Sequence, residues 1–189
     1  MLTVTKLSKH FGSRSVFRNV NFEVPFGAVA AVTGSNGAGK STLLRILAGL
    51  TRAATGEVKW QQENVRCGLF APDAPVYREM TVQENIEFFA SALPGRHNLE
   101  QHIERFELTP RTHDFAGDLS SGWRARLQLA VAALGAPQVL LLDEASAHLD
   151  GNGLALLHGL CDEQRTRGIT LVATNDPREA SRCDFQIIL

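Results

Sequence analysis

The stretch Gly34-Ser35-Asn36-Gly37-Ala38-Gly39-Lys40-Ser41 constrains this chain more than any other. It fits GxxxxGK[ST] at every fixed position. Before it stands "AVAAV" (Ala28–Val32), an apolar run that reads as a buried strand; after it stands "STLLRILAGL" (Ser41–Leu50), which reads as a helix with Gly49 near its end. Strand, glycine-rich loop and helix in that order make a phosphate cradle. The glycines let the backbone curl until its N–H groups point inward. The helix start adds free N–H groups and the positive end of its dipole. In that frame Lys40 reaches the β- and γ-phosphates, the Ser41 hydroxyl binds Mg²⁺ and Thr42 adds a phosphate contact. A plain glycine-rich turn is the alternative, and the full motif in this setting weighs against it. The motif by itself means nucleotide binding and does not separate a kinase, a GTPase and a transport ATPase.

A second element follows far down the chain. "VLLL" (Val139–Leu142) is apolar on both faces, as a buried parallel strand requires, and it ends in Asp143-Glu144. Carboxylates at the carboxyl end of a parallel strand sit where such sheets bind ligands. Asp143 can hold Mg²⁺ through its water shell. Glu144 can orient or deprotonate an attacking water. Two solvated acids at a strand end are the alternative.

The remaining pattern alternates strands with helices. Leu2–Leu7 and Val20–Val24 alternate apolar and polar residues and read as half-exposed antiparallel strands. Gly56–Trp60 and Val65–Phe70 are short strand candidates. From Pro72 to about Pro137 strand runs give way to the helical patterns Val82–Leu93, Leu99–Phe106 and Gly122–Gly135. Leu154–Arg165 is helical, "ITLVAT" (Ile169–Thr174) is another buried strand, and "FQIIL" (Phe185–Leu189) follows a short helix. The expected fold is α/β: a P-loop NTPase core with a mixed, mainly parallel sheet, an N-terminal antiparallel β portion and an inserted helical subdomain. The expected division is 1–72 and 138–189 for the core and 73–137 for the insertion.

Composition bounds the rest. The chain has 189 residues, 44% hydrophobic and 21% charged, with a formal net charge of −1. Nothing in that balance favours nucleic acid or an anionic bilayer. The start, "MLTVTKLSKHFG", lacks the apolar core of a secretory signal, and no apolar run approaches the ~18–20 residues of a membrane span. The 3 cysteines, Cys67, Cys161 and Cys183, are scattered and form no CxxC, so reduced thiols are expected rather than a disulfide framework or a metal site.

"LSSGWRARLQLA" (Leu119–Ala130) lies between these two elements. Alone it reads as a helix capped by Ser120 or Ser121, with Trp123, Leu127, Ala130, Val131 and Leu134 on one face. Together, phosphate loop, "LSSG" and "VLLLDE" resemble the ATP-binding-cassette (ABC) ATPases over essentially the whole chain. In that family the pattern is LSGGQ, which Ser120, Ser121 and Gly122 match with one small substitution. The resemblance implies that these residues bind the γ-phosphate held by an opposite subunit, with the helix start again as the anion site. It further implies that Phe11 and Val16 contact adenine, a core aromatic being the other reading of Phe11. "SAHLD" resembles the D-loop, ending at Asp150, and "MTVQENI" (Met80–Ile86) the opening of the helical insertion. His148, Arg124 and Arg126 read as solvated.

The sequence departs from the family at three positions. Where the family has glutamine, "GLFAPDAPVY" has Asp73, which can still meet Mg²⁺ but cannot donate a hydrogen bond when ionised. The glutamine closing the signature is Trp123, which either covers the subunit seam or packs inside. The switch histidine after "LVAT" is Asn175, which donates a hydrogen bond without charge. Slow turnover is the expectation, with Glu144 and Asn175 as catalytic residues. ATP and Mg²⁺ are the implied cofactors. The implied partners are a second copy of the chain and membrane subunits on separate chains, at the cytoplasmic face of the membrane. The segment "TVQENIEFFASAL" is similar to exporter ATPases, and the resemblance extends to those exporting haem in cytochrome c maturation; polysaccharide or drug export of the ABC-2 type is the other reading. A small P-loop kinase, a soluble ABC protein and a non-hydrolysing ATP sensor are the competing classes.

Overall fold

The chain opens with a hairpin. β1 (Leu2–Phe11) and β2 (Arg14–Val24) run antiparallel around Gly12-Ser13. Both strands exceed the alternating stretches Leu2–Leu7 and Val20–Val24. The register shifts between Val4 and Leu7, between Leu7 and Lys9 and between Lys9 and His10. Each shift breaks the period-two pattern while the pairing continues. Polar side chains support these irregularities: Lys6 N donates to Asn21 Oδ1 at 2.8 Å, and Asn19 N to Ser8 Oγ at 3.0 Å. In this computed structural model, which describes residues 1–74 and 76–189, β3 (Val29–Thr33) follows, then α1 (Lys40–Leu47). β4 (Thr55–Trp60) returns to the free edge of β1, closing a 3-stranded sheet in the order β2-β1-β4.

The second sheet has 5 strands, every one parallel to its neighbours. β5 (Cys67–Phe70), β6 (Val139–Asp143), β7 (Ile169–Ala173) and β8 (Phe185–Ile188) join β3 in the order β5-β6-β7-β3-β8. The antiparallel and parallel portions are thus separate sheets.

Both faces of the parallel sheet are covered, which is why "VLLL" is apolar throughout. Val139 and Leu141 face a core shared with Leu43, Leu44 and Leu47 of α1 and with Leu2, Leu7 and Val24 of the hairpin. Leu140 and Leu142 face the opposite core, shared with the helices. Those are α2 (Val82–Ser91), α3 (Leu99–Arg105), α4 (Ser121–Ala133) and α5 (Gly151–Gln164); a short α6 (Pro177–Ala180) precedes β8. α2 begins with a reciprocal cap: Glu84 N donates to Thr81 Oγ1 at 3.2 Å, and Thr81 N to Glu84 Oε2 at 2.7 Å. α4 is capped by Ser120, whose hydroxyl accepts weakly from Trp123 N at 3.5 Å. It buries Ala125 through Ala130 without a break, not a single face, because β5, α2 and α5 all pack around it. Among the described residues no helix is long and apolar enough to cross a membrane.

Candidate functional site

The site lies at the carboxyl ends of three adjacent strands. β3 runs into the phosphate loop, β6 into Asp143-Glu144 and β7 into Thr174-Asn175. Such strand ends are where open parallel sheets bind ligands. Backbone bonds fix the three together: Glu144 N donates to Ala173 O at 2.9 Å, and Thr174 N to Val32 O at 3.1 Å.

The phosphate loop closes on itself. Ala38 N donates to Ser35 O at 3.0 Å, and Gly39 caps α1 at φ 104°. A side chain at Gly39 would meet Val16 Cγ1 at 2.5 Å, so β2 presses the loop from behind. Lys40 is 6% exposed. Its ammonium donates to Gly34 O at 3.0 Å, to Ser35 O at 3.3 Å and to Asn175 Oδ1 at 2.8 Å. Asn175 Nδ2 in turn donates to Asn36 Oδ1 at 2.5 Å and, more weakly, to Glu144 Oε1 at 3.4 Å. One asparagine side chain thus touches the lysine, the loop and the acid.

A cleft of about 360 Å³ opens over this network, with Val16, Gly39, Lys40, Ser41, Thr42 and Glu144 on its walls. Phe11 stands at its mouth, 56% exposed, with Lys9 Nζ 4.5 Å from its ring centroid; it is not a core residue. Arg14 also lines the cleft. Sequence reasoning missed it, and the only available signal was its place just after Phe11, across the hairpin turn.

Glu144 has φ 50° and ψ 36°. A left-handed glutamate is uncommon, and it turns the chain sharply out of β6. Asp143, just before it, is 4% exposed. Burial pushes its carboxyl above the usual carboxylate range, opposed by the Ser41 hydroxyl, while the charge of Glu144 adds to the rise. A buried carboxylate beside a hydroxyl is a pair of hard oxygen donors, which suits Mg²⁺.

Asp73 is otherwise engaged. Arg45 Nη2 of α1 holds its Oδ2 at 2.5 Å, and its charge reaches Asp143 only as a small upward push. Pro75, two residues on in the stretch from Asp73 to Met80, lies outside the described residues. The buried Asn85 fastens the rest of that segment: Tyr77 N donates to Asn85 Oδ1 at 2.7 Å, and Asn85 Nδ2 donates to Tyr77 O and Thr81 O, both at 2.9 Å.

Ser120, Ser121 and Gly122 do not line the cleft. Both serines are exposed at the start of α4, and a side chain added at Gly122 would meet nothing within 4 Å. Nothing among the described residues calls for glycine there. Trp123 packs against the helical-side core, with Arg126 and Arg111 over its ring at 4.8 and 5.7 Å. The expectation that Arg126 is solvated is overturned. It is 4% exposed, because Asp150 and Glu107 neutralise it inside the fold. Arg124 bends back to donate to Leu119 O at 2.8 Å. His148 is exposed, as read.

Strand, phosphate loop and helix on a doubly covered parallel sheet, with an acid pair ending the next strand but one, define a P-loop nucleotide-binding protein. The sequence pattern of the ABC transporter family matches residues 17–147, and the chain belongs to that family. The sulfate/thiosulfate import ATP-binding protein CysA of Neisseria meningitidis is 30% identical over 100% of this chain and 58% of its own length. The chain thus spans little more than half of that relative. The lantibiotic transport ATP-binding protein SrtF of Streptococcus pyogenes is 28% identical over 93% of this chain and 80% of its own. Among solved structures, a dimeric ATP-binding cassette in a post-hydrolysis state with ADP and Pi superposes with a TM-score of 0.85. It is 22% identical and covers 100% of this chain and 94% of its own, a likeness of fold.

Proposed function

We propose that this chain hydrolyses ATP to drive transport, and that two copies sandwich two ATP molecules. The observation that carries the reading is the Lys40–Asn175–Glu144 network beneath the cleft, which gathers a phosphate-binding cation and a candidate base around one polar hub. The phosphate loop, with Thr42, holds the triphosphate, and Phe11 and Val16 take the adenine. Ser41 and Asp143 hold Mg²⁺, which supplies charge neutralisation on the phosphates when bound. Asp73 joins this group only on leaving Arg45. Glu144 orients the attacking water and accepts its proton, while Asn175 holds the glutamate in place.

Ser120, Ser121 and Gly122 act on the partner's nucleotide. Their exposure and the open space at Gly122 support this, since the helix start is left free to receive an anion. Asp150 contributes through the D-loop. Residues 73–137 form the helical subdomain against the 1–72 and 138–189 core. The groove near Asp73–Met80 and Phe88–Phe89 takes the membrane subunits, which places the chain peripherally at the cytoplasmic face. The edge-to-face rings of Tyr77, Phe88 and Phe89 support that assignment; Tyr77 and Phe88 are 40% and 45% exposed. CysA is named for sulfate/thiosulfate import and SrtF for lantibiotic transport, and neither name speaks for haem. Cargo therefore rests with the membrane partner, and the haem-export reading requires a haem-handling one to co-purify.

The test is a Glu144→Gln chain at saturating ATP with Mg²⁺ omitted. It is expected to bind ATP and dimerise, whereas a persistent monomer overturns the sandwich. Lys40→Ala is expected to lose nucleotide binding; unchanged affinity overturns the phosphate-loop assignment. A second reading, an ATP sensor with little hydrolysis, is favoured by the uncharged Asn175. Phosphate release with the membrane partner present separates the two.

A further inference from the structure

One side chain ties the start of α4 to the turn after β6. Arg126 Nη2 donates to both carboxylate oxygens of Asp150, at 2.7 and 2.9 Å, and Nη1 donates to Glu107 Oε2 at 2.8 Å. The guanidinium lies 4.8 Å from the Trp123 ring centroid. Asp150 also accepts from Gly153 N at 2.8 Å and so caps α5. Arg126 and the Gly153 amide hold its carboxyl below the usual carboxylate range. One guanidinium nitrogen reaches both oxygens of Asp150 while the other reaches Glu107, so two acids hold the group from different elements, and an indole face holds the guanidinium plane. Trp123 and Arg126 are one helical turn apart and so share a face of α4.

We propose that Trp123 and Arg126 are positioning residues that lock Ser120–Gly122 to Asp150 within one chain. This rests on the sandwich reading, in which the signature turn and the D-loop are the parts one chain offers to its partner's nucleotide. The lock makes them move as one body. Trp123 is central because its ring, on the first turn of the helix that Ser120 caps, holds the guanidinium that holds Asp150. Ser121 and Gly122 have little else to fix them, being respectively exposed and open to space.

The experiment has a monomer arm and a dimer arm. The chain has 2 tryptophans, so Trp60→Phe leaves Trp123 as the only indole. In that chain Asp150→Asn is expected to shift the emission and lower the anisotropy of Trp123; an unchanged spectrum overturns the lock. In the Glu144→Gln chain, Trp123→Leu and Arg126→Lys are expected to weaken ATP-driven dimerisation about tenfold. Trp123→Phe, which keeps a π face, is expected to retain it. Leucine and phenylalanine both keep the apolar packing and differ in the π face, so a merely structural role predicts no tenfold gap between them. Asp150→Asn, at a side chain 60% exposed, serves the dimer arm if Arg126→Lys fails to fold. If the variants lose affinity for a fluorescent ATP analogue as much as they lose dimerisation, the lock is overturned. A parent that dimerises alongside an equally tight Trp123→Leu chain overturns the lock alone; a monomeric parent overturns the sandwich reading and the lock's role with it.

Discussion

The ammonium of Lys40 donates to the side-chain carbonyl of Asn175 at 2.8 Å, across 135 positions of sequence. The same amide reaches Glu144 through its nitrogen at 3.4 Å, so it is a link between cation and acid.

Asn175→Ala releases both ends of that link. Lys40 keeps its contacts to Gly34 O and Ser35 O, so ATP affinity is expected to hold. kcat is expected to fall by roughly 10²–10³, the order seen when one preorganised donor is removed. Steady-state phosphate release against ATP concentration separates the two parameters. Asn175→His is expected to be faster than the parent; a slower variant counts against the slow-turnover reading.

Gly39→Ala tests the packing behind the phosphate loop. The added methyl would lie 2.5 Å from Val16 Cγ1 and 2.9 Å from Phe17 Cδ1, at φ 104°. Phe17 is buried and cannot swing away. Overpacking of this kind costs about 1–3 kcal/mol. Thermal melts followed by circular dichroism are expected to fall by several degrees, with ATP affinity lost alongside. A parental melting curve would mean that β2 yields.

Asp143 gives a pH signature. Its folded value lies above the ordinary carboxylate range because burial opposes its charge. Between those two values the folded state binds more protons than the unfolded state. This group's contribution to stability therefore falls as pH rises through that window. Asp143→Asn removes the slope. The nucleotide-free variant is expected to melt higher than the parent at neutral pH, with the difference closing in acid, while Mg²⁺-dependent ATP binding weakens. Melts of both chains across the acid range check the sign, and a variant less stable at neutral pH refutes it.

The cysteines are expected to be inert in the folded chain. Burial pushes Cys161 to about 12 and Cys67 and Cys183 to about 11. Thiolate is the reactive form, so alkylation at neutral pH is expected to be slow until denaturant is added. Mass spectrometry of iodoacetamide-treated protein reads this directly; rapid labelling of the folded chain contradicts it.

The parts legible in the sequence are those whose physics is local or repeats along one element. The phosphate loop is legible because its chemistry sits within one strand–loop–helix unit. β6 is legible because burial on both faces demands an unbroken aliphatic run. The full lengths of β1 and β2 are not legible, since bulges break the alternation that reports a strand. Nor is the burial of Arg126: an arginine among alanines on a helix looks solvated until Glu107 and Asp150, from other elements, neutralise it.

The sequence by itself therefore determined the element types, the phosphate loop, the acid pair and a helix capped by Ser120 or Ser121. The tertiary structure alone decided which of these meet. Sheet order places β6, β7 and β3 side by side, so Glu144, Asn175 and Lys40 share one hydrogen-bonded network. The same packing leaves Ser120–Gly122 outside the cleft and ties the helix they open, through Arg126, to Asp150. Contacts between distant residues depend on how whole elements bury their apolar faces against one another, and no local pattern carries that information.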